Sequence, residues 1–111
     1  MDNKLKYHHL GVPTNVPIEG EVYLQEYKCY HFGFEESEYG IEYMRYEEAC
    51  PLPEIVKTKP HLAFEVEDLY EYIKDRKVII PPNSSSEGNL VAFIEADGMP
   101  IELLQITRKQ N

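Results

Sequence analysis

Four residues in this chain combine the types and surroundings that metal chemistry requires: His9, Glu42, His61 and Glu102. Glu42 stands between Ile41 and Tyr43, and Glu102 between Ile101 and Leu103. A carboxylate among apolar neighbours is costly to bury unless something pairs with it, and a metal ion is one such partner. Each residue also has an ordinary reading when taken alone. A His at the start of a strand is commonly a surface or satisfied core histidine, and a Glu on a half-exposed strand is commonly solvated.

The four are set apart because they recur in matching places. His9-Leu10-Gly11-Val12 resembles His61-Leu62-Ala63-Phe64, and Gly40-Ile41-Glu42-Tyr43-Met44 resembles Pro100-Ile101-Glu102-Leu103-Leu104. In each half a His opens the first strand and a Glu sits in the last. The stretch from His61 to Glu102 is longer than that from His9 to Glu42 by about the length of a short helix. A repeat of this kind fixes the architecture.

Strands must carry these residues, and side chains on a strand alternate between faces. His61, Ala63 and Glu65 share one face. Leu62, Phe64 and Val66 share the other, where a helix at 67–76, with Asp68 as N-cap and Leu69, Tyr72 and Ile73 on one side, would cover them. His9 and Gly11 share a face, opposite Leu10 and Val12, so the small residues Gly11 and Ala63 leave room beside each His. His8 falls on the face of Leu10 and reads as structural. His31 has no counterpart in the repeat and receives no role.

The remaining elements follow from strand formers and breakers. A strand is predicted at 7–12, then an irregular stretch with Pro13, Pro17 and Gly20. The aromatic run 22–32 reads as one strand, paired as a hairpin with 40–46. Residues 47–59, with Pro51 and Pro53, read as a linker. Residues 78–80 form a short strand stopped by Pro81-Pro82, and Asn83 to Asn89 a Ser- and Gly-rich turn. Residues 90–95 and 100–106 form a hairpin about Asp97-Gly98. The chain thus divides into a first module at about 5–47, a linker at 48–59 and a second module at about 60–107.

Composition narrows the function classes. With 111 residues the chain is one domain, large enough to bury a core without staples. Its net charge of −9 and the lack of a basic stripe argue against nucleic acid as a partner. The sequence has no window apolar enough for a membrane span, so no membrane partner is expected. Cys29 and Cys50 have no motif spacing, and no signal-like segment follows the first residues, so two free thiols in a reducing cytoplasm are expected. Asn83-Ser84-Ser85 matches a glycosylation sequon but reads as loop in that setting.

These motifs resemble the vicinal-oxygen-chelate (glyoxalase/bleomycin resistance/dioxygenase) superfamily, which includes glyoxalase I and methylmalonyl-CoA epimerase. His9-Leu10-Gly11-Val12 is similar to that family's first-strand ligand motif. Pro60-His61-Leu62-Ala63-Phe64-Glu65-Val66-Glu67-Asp68-Leu69 is similar to its fifth strand and following helix. Ile41-Glu42 and Ile101-Glu102-Leu103-Leu104 resemble its fourth and eighth strands. Residues 13–39 depart from the family pattern, which carries a helix and a short strand there.

The resemblance implies an α+β fold. Two βαββ-type modules form a half-open barrel around a metal cleft, the first module with a reduced or missing helix. It implies a divalent ion (zinc, nickel, cobalt, manganese or iron) held by His9, Glu42, His61 and Glu102, with Met44 and Tyr46 facing a small-molecule ligand. It implies a lyase or isomerase acting on a small carbonyl or acyl-thioester compound through an enediolate. Either Glu42 or Glu102 could be the base, with a lean to Glu102. The alternative is a non-catalytic binder that sequesters a small molecule. Ring-cleaving dioxygenase chemistry, which in the family uses two His and one Glu, would leave Glu42 surplus. The apolar strands and the tyrosines fit a homodimer, which is common in the family.

Overall fold

The computed structural model describes residues 4–84 and 88–106. Its elements in chain order are β1 (Lys6–Pro13), β2 (Val22–Leu24), β3 (Cys29–Phe32), β4 (Ile41–Tyr46), α1 (Glu54–Thr58), β5 (His61–Glu65), α2 (Leu69–Ile73), β6 (Val78–Ser84), β7 (Leu90–Ala96) and β8 (Met99–Gln105). The strands form one curled mixed sheet, a half-barrel, in the order β2-β3-β4-β1-β5-β8-β7-β6. Each module is a four-stranded unit with its first strand parallel to its last. The units join where β1 and β5 run antiparallel.

The expected repeat emerges as register. In the first unit Gly11 sits opposite Glu42, and in the second Ala63 sits opposite Glu102. At the seam Leu10 pairs with Leu62, flanked by His9↔Ala63 and Gly11↔His61.

Two apolar clusters hold the second unit from opposite sides. On the convex side Val66, Leu69, Ile73, Ala92, Ile94 and Leu103 pack together beneath α2. The Asp68 side chain caps α2 by accepting from the Glu71 N–H. On the concave side Val56, Ala63, Val91, Phe93 and Leu104 cluster, and α1 supplies the fully buried Val56.

Among the described residues no helix lies between β1 and β2, as expected of a reduced first module. The proline-bearing segment crosses the convex face there instead. Glu21 pairs with Arg45, whose guanidinium also lies 4.1 Å from the centre of the Tyr30 ring. Gly20, at φ +88°, passes against Phe32.

Several sequence expectations need correction. Residues 22–32 are two strands, not one, because the chain turns over 25–28, where Lys28 takes φ 52°. The stretch read as a linker contains α1, which Pro53 opens at its N-cap. Pro81-Pro82 does not stop β6, which runs from Val78 to Ser84. An edge strand tolerates residues without an N–H, and the pairing with β7 shifts register between Ile80 and Asn83, where they lie. Residues 85–87 of the Ser- and Gly-rich turn, and with them Ser85 of the sequon, lie outside the described residues. Cys29 and Cys50 are both buried free thiols. Among the described residues no helix is long and apolar enough to cross a membrane.

Candidate metal centre

The seam register decides where the two imidazoles meet. His9 and His61 lie diagonally across β1 and β5, each opposite a small residue. The fit is close: a Cβ on Gly11 would stand 2.1 Å from His61 Cε1. The ring centres of His9 and His61 are 5.5 Å apart, nearly perpendicular, and Phe93 lies 5.2 Å from His61 on its other side. Glu42 and Glu102 enter the same face from the flanking strands β4 and β8.

His9, His61 and Glu102 form one cluster in which a ligand atom from each lies within 4.8 Å of the others. His9 Nε2 is 3.2 Å and His61 Nε2 3.1 Å from the same oxygen, Glu102 Oε1. Glu42 Oε1 stands further off, 3.7 Å from His9 Nε2, while Glu42 Oε2 accepts from His31 Nδ1 at 3.0 Å. The structure therefore brings three of the four expected residues into close contact and sets Glu42 beside them.

This donor set fits a divalent ion. Nitrogen and oxygen ligands bonded at about 2.0–2.2 Å and about 90° apart are separated by about 3 Å. The two imidazole–carboxylate distances have that value. The set is also self-sufficient without an ion, since among the described residues no buried side-chain nitrogen or oxygen lacks a hydrogen-bond partner.

Electrostatics tie the cluster together. Burial alone would raise the Glu102 carboxyl, but hydrogen bonds from His61 and His9 and their charges outweigh it and hold it at about 2. Burial lowers His9, yet the Glu102 hydrogen bond and the nearby carboxylates outweigh it and leave His9 raised. His8 is lowered, first by burial and then by the charge of His9.

Sequence reasoning missed two histidines here. The pairing of β1 with β5 slips between Tyr7 and His9, a bulge that leaves His8 as the extra residue. His8 is therefore not a structural residue on the Leu10 face. It lines the same cavity as His9, lies 2.8 Å from it (Nδ1 to Nδ1), and stacks on Phe34 with ring centres 5.0 Å apart. His31 has no counterpart in the repeat, but its pairing with Met44 puts it on the face of Glu42. The hairpin register was the available signal.

The cluster lines a cavity of about 470 Å³ that also takes in Met44 and Tyr46. Burial pushes the Tyr46 phenol far up, so it stays protonated. Tyr27, in the turn between β2 and β3, donates to Asn83 Oδ1 on β6 at 2.6 Å. This bond joins the two ends of the curled sheet across the cavity.

No protein-family model matches the sequence, and neither does any curated protein. The fold is matched by the crystal structure of methylmalonyl-CoA epimerase from Mycobacterium tuberculosis, with a TM-score of 0.60 over 94% of this chain and 88% of that one, at 15% identity. The paired-module half-barrel is thus a fold shared with that epimerase.

Proposed function

We propose that the protein holds a divalent metal ion through His9, His61 and Glu102, with Glu42 as a looser fourth donor. There it moves a proton beside the carbonyl of a small carbonyl or acyl-thioester compound, as an isomerase or lyase. The observation that carries this reading is the convergence of two imidazole Nε2 atoms on one Glu102 oxygen, at 3.2 and 3.1 Å, in the wall of a cavity. The epimerase that shares the fold is in keeping with it.

When bound, a divalent ion at this set would supply Lewis-acid stabilisation of charge developing on a carbonyl oxygen. The chain's own residues do the rest. His8 offers its Nδ1 to His9 Nδ1 and fixes that ring with Nε2 turned toward Glu102. Of the two carboxylates, Glu42 is the better placed proton carrier, because Glu102 is engaged by both imidazoles while Glu42 stands outside the close cluster. Glu42 Oε2 is bonded to His31, whose side chain is 30% exposed and offers the proton a path to solvent.

The test is a panel of α-hydroxycarbonyl and acyl-thioester compounds in heavy water, followed by proton NMR. Metal-dependent deuterium uptake into one of them is expected, lost in Glu42→Gln and, through loss of the ion, in Glu102→Gln. His61→Ala should lower divalent-metal affinity about 10-fold or more. A second reading, sequestration without chemistry, is favoured by the largely hydrocarbon lining of the cavity. Tight binding of one compound with no exchange across the panel would establish it.

A further inference from the structure

The charge of the cavity narrows the substrate class, an inference that rests on the function proposed above. Away from the His and Glu cluster much of the wall is hydrocarbon. Leu24 and Met44 come from the first unit, Val91 and Leu104 from the second, and Leu52 and Val56 from the connection. Glu26 and Glu35 also line the cavity, and both are exposed, so they form its rim. Among the described residues no Lys or Arg lines it. Alternation along β4 turns Arg45 to the opposite face, where it pairs with Glu21.

An anionic ligand meets three obstacles in such a cavity. An apolar wall strips the water from a charge without replacing it. Two rim carboxylates, on a chain of net charge −9, repel a negative group as it approaches. Two neutral imidazoles and two carboxylates neutralise a divalent ion and leave no surplus positive charge at the inner end. Tyr27, Asn83 and Asn89 add uncharged polar groups to the lining, of which Tyr27 and Asn83 are bonded to each other.

We propose that the cavity takes an uncharged carbonyl compound with an apolar body and discriminates against compounds that carry a carboxylate or phosphate, coenzyme A thioesters among them. Its volume suits a ligand of that kind.

The experiment titrates the metal-loaded full chain with a matched pair, phenacyl alcohol and its para-carboxylate, by calorimetry, with acetyl-coenzyme A as a third probe. Phenacyl alcohol is expected to bind at least about 10-fold more tightly than the carboxylate. The double variant Glu26→Lys/Glu35→Lys, changed only at exposed positions, should narrow that gap. Equal or tighter binding of the carboxylate or of acetyl-coenzyme A overturns the proposal, as does no binding of phenacyl alcohol. An unchanged gap in the lysine variant overturns the assignment of selection to the rim. The underlying function is read separately. Selective binding of the neutral probe without deuterium exchange overturns the catalytic reading and leaves charge selection standing. Exchange into the anionic probe does the reverse.

Discussion

Replacing Gly11 by Ala tests whether the seam, rather than the ligands alone, builds the site. In an ordinary strand interior this change helps by about 0.5–1 kcal/mol. Here the added carbon would stand 2.1 Å from His61 Cε1, 2.6 Å from Nε2 and 2.7 Å from Nδ1. Ordinary carbon contacts are about 3.5–4.0 Å, so the ring must retreat by roughly 1.4 Å or more. Phe93 flanks the ring 5.2 Å away, so the movement carries Nε2 off its 3.1 Å contact with Glu102. We expect a net destabilisation of about 1–3 kcal/mol, the usual size for overpacking a tight site. Divalent-metal affinity should fall about 10–100-fold, as when a ligand loses its orientation. Chemical denaturation and competition with a chromophoric chelator measure the two effects. A double-mutant cycle with His61→Ala isolates the cause. Removing the ring removes the clash, so the double variant should be more stable than additivity predicts, by about 1 kcal/mol or more. Wild-type metal affinity in Gly11→Ala, or strict additivity in the cycle, would refute the argument.

Other expectations follow from the same geometry. His8→Ala should lower metal affinity about 10-fold, measured by the same competition, because the His9 ring loses its Nδ1 partner. Had His8 pointed away with Leu10, that change would have been neutral. In the metal-free protein Glu102 is held at about 2, below the ordinary carboxylate value, so its contribution is present above that ordinary value and lost as pH falls toward about 2. Glu102→Gln should therefore flatten the acid limb of stability between about pH 5 and pH 2 in denaturation series. Burial, then the neighbouring Cys50, push the Cys29 thiol up to about 12. Its alkylation by iodoacetamide at about pH 8 should be slow in the native protein and fast in urea, followed by mass spectrometry.

Much of this site was legible because a repeat constrains more than its parts. A His and a Glu stand in matching places, with Gly11 and Ala63 beside the histidines, and the structure expresses that match as the mirrored registers Gly11↔Glu42 and Ala63↔Glu102. Alternation places Phe64 and Val66 against the α2 side, whereas Leu62, expected beside them, is exposed. The misses have local causes. Alternation holds only while pairing is regular, and the bulge at His8 breaks it with no residue type to announce it. Pro81-Pro82 points to a strand stop and Pro53 to a linker, but proline also fits an edge strand and a helix start. Tyrosine-rich residues 22–32 have strand propensity throughout, and no Gly or Pro marks the turn at 25–28. His31 could be placed only by hairpin register, since a repeat cannot point to a residue it lacks.

The antiparallel join of β1 and β5 makes the four candidate ligands joint property. Each four-stranded unit carries one His and one Glu, and the ring of His61 rests on a glycine that belongs to the other unit. A cut through the connection at 47–53 would therefore yield two pieces, each holding half of the donor set. If the pieces re-pair along Leu10 and Leu62, metal affinity should return with that pairing, so that capture of the ion reports assembly of the two halves.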